Sequence, residues 1–194
     1  MNAIVVYESL WGNTATIARA IAEGIGPGAR ALSTAEATAA EIAGADLIVA
    51  GAPVHAFSLP TERSRRNAGK APAPDLSHPP MRSWLGALPP TPRVALRSAA
   101  TRPSEESSAA RTRAAGAAVG RAPFAAFETA FRWSPSGATS AIMQGLQHAG
   151  YRPCARSQRF IVTGNSGPLR AGEVERARSW GAELGRMLGQ QSNA

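Results

Sequence analysis

Lysine, cysteine and aspartate are nearly absent from this chain of 194 residues, and each shortage excludes something. Cys154 stands alone, so no intramolecular disulfide can form, and no Cys/His spacing suggests a zinc site. Asp46 and Asp75 are the only aspartates, and neither ends a predicted strand. That argues against an acidic pocket built to accept a phosphoryl group, for which only Glu8 is near the right place. No segment approaches the ~20 apolar residues of a membrane span. The start, Met1-Asn2-Ala3-Ile4-Val5-Val6-Tyr7, has neither a basic leader nor a signal-length apolar stretch, so a soluble cytoplasmic protein is the expectation. The patterns Gly-x-Ser-x-Gly, Gly-x-x-x-x-Gly-Lys and Gly-x-Gly-x-x-Gly are all missing, which sets aside the corresponding hydrolase, Walker-type and dinucleotide loops.

Arginine and alanine are abundant instead. The net charge is +8, with Lys70 the single lysine. Such a charge suits phosphate ligands, nucleic acid or an acidic protein partner. The densest cluster, Arg63, Arg65, Arg66 and Lys70, is short and lacks interleaved aromatics. Scattered solvated arginines are therefore the leading reading, and a nucleic-acid role ranks well behind. Apolar residues make up 44% of the chain, enough for one well-cored α/β domain.

The pattern along the chain alternates strand and helix. Ile4–Tyr7 is a β-branched run without alternation, as in strands covered on both faces. Thr14–Ile25 repeats apolar residues at helical spacing, with Ile17, Ala18, Ile21, Ala22 and Ile25 on one stripe, and Gly24, Gly26, Pro27 and Gly28 end it. Arg30–Leu32 reads as a weak strand, and Ser33 or Thr34 as the cap of a helix over Ala35–Ala43. Asp46–Gly51 is the clearest strand. A helix over Met81–Leu88 presents Trp84, Leu85 and Leu88. Phe124–Thr129 is the preferred fourth strand, with Arg93–Ser98 competing. A helix over Ala138–Ala149, a fifth strand Arg159–Thr163 and a last helix Ala171–Leu188 complete the chain. Five strands alternating with helices predict a doubly wound five-stranded parallel sheet in a three-layer sandwich. One domain over residues 1–190 is expected, with a low-complexity Ala/Arg/Ser insertion at about 93–122. His78 and His148 read as surface or helix-face residues.

In such a sheet, ligands bind beyond the carboxyl ends of the strands, next to the first. The loop there suits a phosphate. Gly12 allows close backbone approach, Ser9 and Thr14 offer hydroxyls, and the free N–H groups of the helix start point the same way. The stretch Val5-Val6-Tyr7-Glu8-Ser9-Leu10-Trp11-Gly12-Asn13-Thr14, with Ala18 and Ile21, resembles the N-terminal signature of flavodoxins.

That resemblance covers residues 1–60 and 123–188. It implies an FMN phosphate wrapped by Ser9, Leu10, Trp11, Gly12, Asn13 and Thr14. Trp11 stands where many flavodoxins have a small hydroxyl residue, which removes one donor but leaves its N–H. Gly51-Ala52-Pro53-Val54-His55-Ala56-Phe57 is similar to the family's loop along the flavin ring, with Pro53, Val54 and Ala56 offering backbone and His55 and Phe57 offering side chains. A charge on His55 near neutral pH would tune the reduced cofactor. The loop after strand four, Glu128-Thr129-Ala130-Phe131-Arg132-Trp133, departs from the family. Thr129 and Phe131 are its candidate contacts, with Trp133 a second ring able to stack. Arg132 would favour negative charge on the ring and Glu128 would oppose it.

The resemblance implies an FMN protein of electron transfer or a flavin-dependent reductase, with an acidic redox partner suited to the basic surface. The alternative is an interaction module of the same shape that has lost FMN.

Overall fold

The β-branched runs sit at the centre of a wholly parallel sheet, as their lack of alternation predicts. The computed structural model describes residues 1–68, 72–89, 121–135 and 137–191. The elements are β1 (Ala3–Tyr7), α1 (Asn13–Ile25), β2 (Ala29–Ser33), α2 (Ala39–Ala43), β3 (Leu47–Pro53), α3 (Glu62–Arg66), α4 (Met81–Ala87), β4 (Pro123–Ala130), α5 (Ala138–His148), β5 (Arg152–Pro153), β6 (Gln158–Ile161) and α6 (Glu173–Gln191). The strand order is β2-β1-β3-β4, and β5 and β6 share the position beyond β4. The fifth strand is thus split. Pro123 and Phe124 face Arg152 and Pro153, whereas Phe127 faces Gln158, so two extra residues bulge between the halves. Pro153 has no N–H to offer, and Cys154 donates to the Phe124 carbonyl instead.

Strand alternation sends successive side chains into two separate cores. Ile4, Val6, Ile48, Ala50, Phe124 and Ala126 pack against Ile42, Met81, Trp84, Ile142 and Leu146. Ala3, Val5, Leu47, Val49, Ala125 and Phe127 pack against Ile17, Ile21, Trp180 and Leu184. This is the expected three-layer sandwich. Two local expectations need correction. The helix predicted from Ala35 starts at Ala39, capped by the Thr38 hydroxyl, because Ser33 and Glu36 close a turn on each other first. A short helix, α3, forms in a stretch for which no element was expected, with Thr61 and Ser64 capping it reciprocally. The expected insertion at about 93–122 and the competing strand Arg93–Ser98 lie outside the described residues, apart from Arg121 and Ala122 at its end. Among the described residues no helix is long and apolar enough to cross a membrane.

One polar cluster is buried where β1 ends. Glu8 is 0% exposed and Arg65, from α3, is 2% exposed. The Arg65 Nε lies 3.6 Å from Glu8 Oε1, and its Nη2 donates to the His78 carbonyl at 2.6 Å. Glu8 Oε2 accepts from the Met81 N–H at 2.8 Å, at the start of α4. The cluster therefore ties α3 and α4 to the end of the central strand. Arg65 is thereby an exception to the reading of the arginines as scattered and solvated, since it points inward. Burial pushes the Glu8 carboxyl up to about 7, against the pull of the Met81 N–H and Arg65.

The second core is closed by two helices in very close contact. A Cβ built on Gly24 would stand 1.9 Å from the Arg178 carbonyl oxygen, and one on Gly181 would stand 2.2 Å from that of Ile21. These glycines are there for backbone approach rather than for a turn.

Gly181→Ala should therefore force α1 and α6 apart at a cost of roughly 1–3 kcal/mol. Gly189→Ala, with nothing within 4 Å, should instead gain slightly from helix propensity. Thermal unfolding followed by circular dichroism should show Tm falling for the first and holding or rising for the second. Glu8 makes a pH prediction. The folded carboxyl keeps its proton to about pH 7, whereas the unfolded one releases it near 4.5, so the folded state holds more protons in that window. Stability should fall there as pH rises, by no more than about 3 kcal/mol from this group. Glu8→Gln should flatten that part of the Tm–pH curve, and an unchanged slope would show that Glu8 is ionised throughout.

Candidate functional site

A cleft of about 680 Å³ opens at the carboxyl edge of the sheet, between the loops that follow β1, β3, β4 and β6. That volume lies within the ordinary range for small-molecule sites. Ser9, Leu10, Trp11, Asn13, Thr14, Pro53, Val54, His55, Ala56, Phe57, Thr129 and Phe131 all line it. Gly12 does not. It stands at the N-cap of α1 with φ 84°, a left-handed conformation suited to glycine, and turns the chain into the helix.

The β1–α1 loop offers several donors. No side chain caps α1, so its first N–H groups keep their donor capacity at the positive end of the helix. The Ser9 hydroxyl is buried and has no hydrogen-bond partner among the described residues, although Ser9 lines the cleft. The Thr14 hydroxyl is 2.8 Å from that of Thr129. Asn13 Nδ2 donates to the Ser166 carbonyl at 3.0 Å and so ties the loop after β6 to the helix start. The Trp11 indole N–H donates to the Pro72 carbonyl at 3.0 Å.

After β3, His55 and Ser58 exchange both backbone hydrogen bonds across a two-residue turn. Ala56 and Phe57 occupy it with φ of 47° and 65°. These are the signs of a type I′ turn, usually filled by Gly or Asn. Non-glycine residues there store of the order of 1–3 kcal/mol each. The fold holds the turn in place: a Cβ on Gly137 would stand 1.7 Å from the Phe57 carbonyl oxygen. Phe57 is left 61% exposed. The His55 ring lies 6.2 Å from that of Trp11. Burial, aided by Arg65, holds His55 below its ordinary range, so the charge expected on it near neutral pH is disfavoured.

The loop after β4 is braced from beneath. Glu128 is fully buried and accepts from Arg159 Nε at 2.9 Å and from the N–H and hydroxyl of Thr139, both at 3.1 Å. Arg159 also donates to the Ser134 carbonyl. The expectation that Glu128 opposes negative charge in the site is corrected: its charge is met by Arg159 and the start of α5. Arg132 is exposed and is not on the lining. Phe131 and Trp133 stack on each other, with centroids 5.1 Å apart and planes 2° from parallel, and Trp133 is 78% exposed.

Several lining residues were not among the expected site residues. Thr61, Arg63, Ser64, Asn67 and Ala68 come from α3 and its flanks, and Val162, Gly164 and Asn165 from the loop after β6. Thr61 followed by acidic Glu62 and three arginines was the available signal for the α3 wall. No carboxylate is among the described lining residues, and Arg63 is the one permanent cation there. With the helix start, this makes the cleft suited to an anion.

No protein-family model matches the chain, and no curated protein does either. Solved structures do. A flavodoxin from the domain Archaea is 17% identical, with a TM-score of 0.57 over 97% of this chain and 99% of that one. Oxidised flavodoxin 1 from Bacillus cereus is 13% identical, with a TM-score of 0.58 over 96% of this chain and 98% of that one. A flavodoxin, WrbA-like protein from Agrobacterium tumefaciens is 16% identical, with a TM-score of 0.51 over 97% and 98%. Strand order, layers and these likenesses agree: the chain has the flavodoxin-like fold.

Proposed function

We propose that this protein binds FMN in the cleft and serves in electron transfer or as a flavin-dependent reductase. The observation that carries this reading is the buried Ser9 hydroxyl without a partner among the described residues, beside a helix start that no described side chain caps. A buried polar group is normally paired, and of the three such atoms without a hydrogen bond among the described residues, Glu8 Oε1, Arg65 Nε and Ser9 Oγ, only the last belongs to a residue on the cleft, where a ligand atom could pair it. Ser9, Asn13 and Thr14 would hold the phosphate with the N–H groups of the loop and of the α1 start, Gly12 letting the backbone approach. Pro53–Phe57 would lie along the ring and Phe131 against its face, with Thr129 below. The absence of a carboxylate from the described lining fits the phosphate, and Arg63 adds to the attraction. When bound, FMN supplies the redox chemistry, and the protein orients it and sets its surroundings. The net charge of +8 suits an acidic redox partner.

A second reading, a flavodoxin-shaped interaction module without flavin, is favoured by Trp11. Its indole is engaged with Pro72 and gives the loop no hydroxyl.

Titration with FMN, read by quenching of flavin fluorescence, separates the two. Binding of FMN in clear preference to riboflavin, which lacks the phosphate, supports the first, and binding of neither supports the second. Ser9→Ala should weaken FMN by about 1.5–3 kcal/mol, the range for a hydrogen bond to a charged group. The same variant should not lower the Tm of the flavin-free protein, because the hydroxyl has no partner there to lose.

A further inference from the structure

The segment from Pro72 to Pro80 runs alongside the β1–α1 loop and bonds it three times. Pro72 accepts from the Trp11 indole, the Asp75 N–H donates to the Leu10 carbonyl at 2.7 Å, and the Ser9 N–H donates to His78 Nε2 at 3.1 Å. The third bond differs in kind. Its acceptor is a ring nitrogen, which accepts only while it carries no proton. A backbone N–H cannot reverse its role, so this geometry requires a neutral His78 with its proton on Nδ1. The ring is 6% exposed, so water has little access to take over if the bond fails.

His78 was expected at the surface, without a partner. The structure instead gives it a place beneath the residue whose hydroxyl is left for a ligand. We infer that neutral His78 is the positioning residue of the anion loop: by accepting the Ser9 N–H it fixes the Ser9 peptide and aims its hydroxyl at the cleft, and protonation of the ring releases both. The identity of the anion rests on the FMN reading, whereas the bond between His78 and Ser9 does not.

The charges around the ring come from four elements. Asp75, on the same segment, has Oδ2 3.8 Å from Nδ1 and favours a proton on that side. Arg65, from α3, bonds the His78 carbonyl. Glu36, in the turn after β2, also acts on the ring, and Glu8, at the end of β1, faces Arg65. Burial lowers the imidazole below its ordinary range; Asp75 and Glu36 pull upward, and Arg65 adds to the lowering. The acceptor is therefore intact at neutral pH. It is lost as pH falls below the ordinary histidine value of about 6.5 and through the lowered one.

Three forms of the full chain test this: wild type, His78→Gln and His78→Leu. Glutamine keeps an acceptor oxygen but does not titrate, and leucine removes the acceptor. FMN dissociation constants measured from about pH 8 to pH 5 should show His78→Gln within a few-fold of wild type at the upper end. His78→Leu should be weaker by about tenfold or more, the scale of one buried unsatisfied N–H. On acidification wild type should lose affinity relative to His78→Gln, again by about tenfold. The ratio cancels the titration of the ligand phosphate, whose second pKa is about 6. A ratio that stays flat, or affinity that rises as the ring gains charge, overturns the inference.

A second measurement needs no ligand. Ring 15N shifts should show His78 neutral with Nε2 unprotonated at about pH 7.5, and the Ser9 amide should titrate with the ring. A protonated Nε2, or a Ser9 amide indifferent to the titration, overturns the inference even if FMN binds. If the amide and ring titrate together but FMN does not bind, the FMN reading fails and the positioning role stands.

Discussion

The sheet is covered on both faces, and the rest of the molecule follows from that constraint. Ala3 to Val6 and Leu47 to Ala50 have no exposure, so no polar group can be presented from the faces of the central strands. Chemistry is confined to the edge where the strands stop. Parallel connection brings every strand to that edge in the same sense. Four loops converge there, and a helix starts in the first of them with its N–H groups uncapped.

Two buried acids, each set against an arginine, brace those loops from beneath. Glu8 with Arg65 braces the β1 side, and Glu128 with Arg159 braces the β4 side. Both carboxylates are fully buried, and each accepts from the beginning of a neighbouring helix: Glu8 from Met81 in α4, Glu128 from Thr139 in α5. Such pairs add little net stability because desolvation offsets the attraction. Their effect here is geometric: Glu8 ties the end of β1 to α3 and α4, and Glu128 ties β4 to β6 and the start of α5. The cleft between them is left with no carboxylate on its described lining, because both acids at this edge are turned beneath the loops.

Much of this was legible in the sequence, for local reasons. β1 and β3 are dense in Val and Ile, and the Ser9–Thr14 loop follows directly on a strand and opens a helix. Neighbouring residues decide those features, so twelve of the thirteen expected site residues are found on one cleft. The braces were not legible. Ser9 and His78 are 69 positions apart, and Glu128 and Arg159 are 31 apart. Nothing in Ser77-His78-Pro79 marks a ring that will be buried under a distant loop. Likewise Arg65 reads as one of four basic residues within positions 63–70, and only the fold separates it from exposed Arg66. The turn at Ala56–Phe57 was hidden for the opposite reason: its residues disfavour the conformation, and tertiary contact imposes it.

That imposed turn ties one wall of the cleft to the start of α5. The Phe57 carbonyl presses on Gly137, and the Gly137 N–H faces Glu128 Oε2 at 3.4 Å. The loop after β3 and the start of α5 thus meet backbone to backbone, with no side chain between them. Gly137 is in effect a spacer of zero side-chain width between the two segments. Any side chain placed at Gly137 would have to displace backbone, because no flexible group stands there to give way.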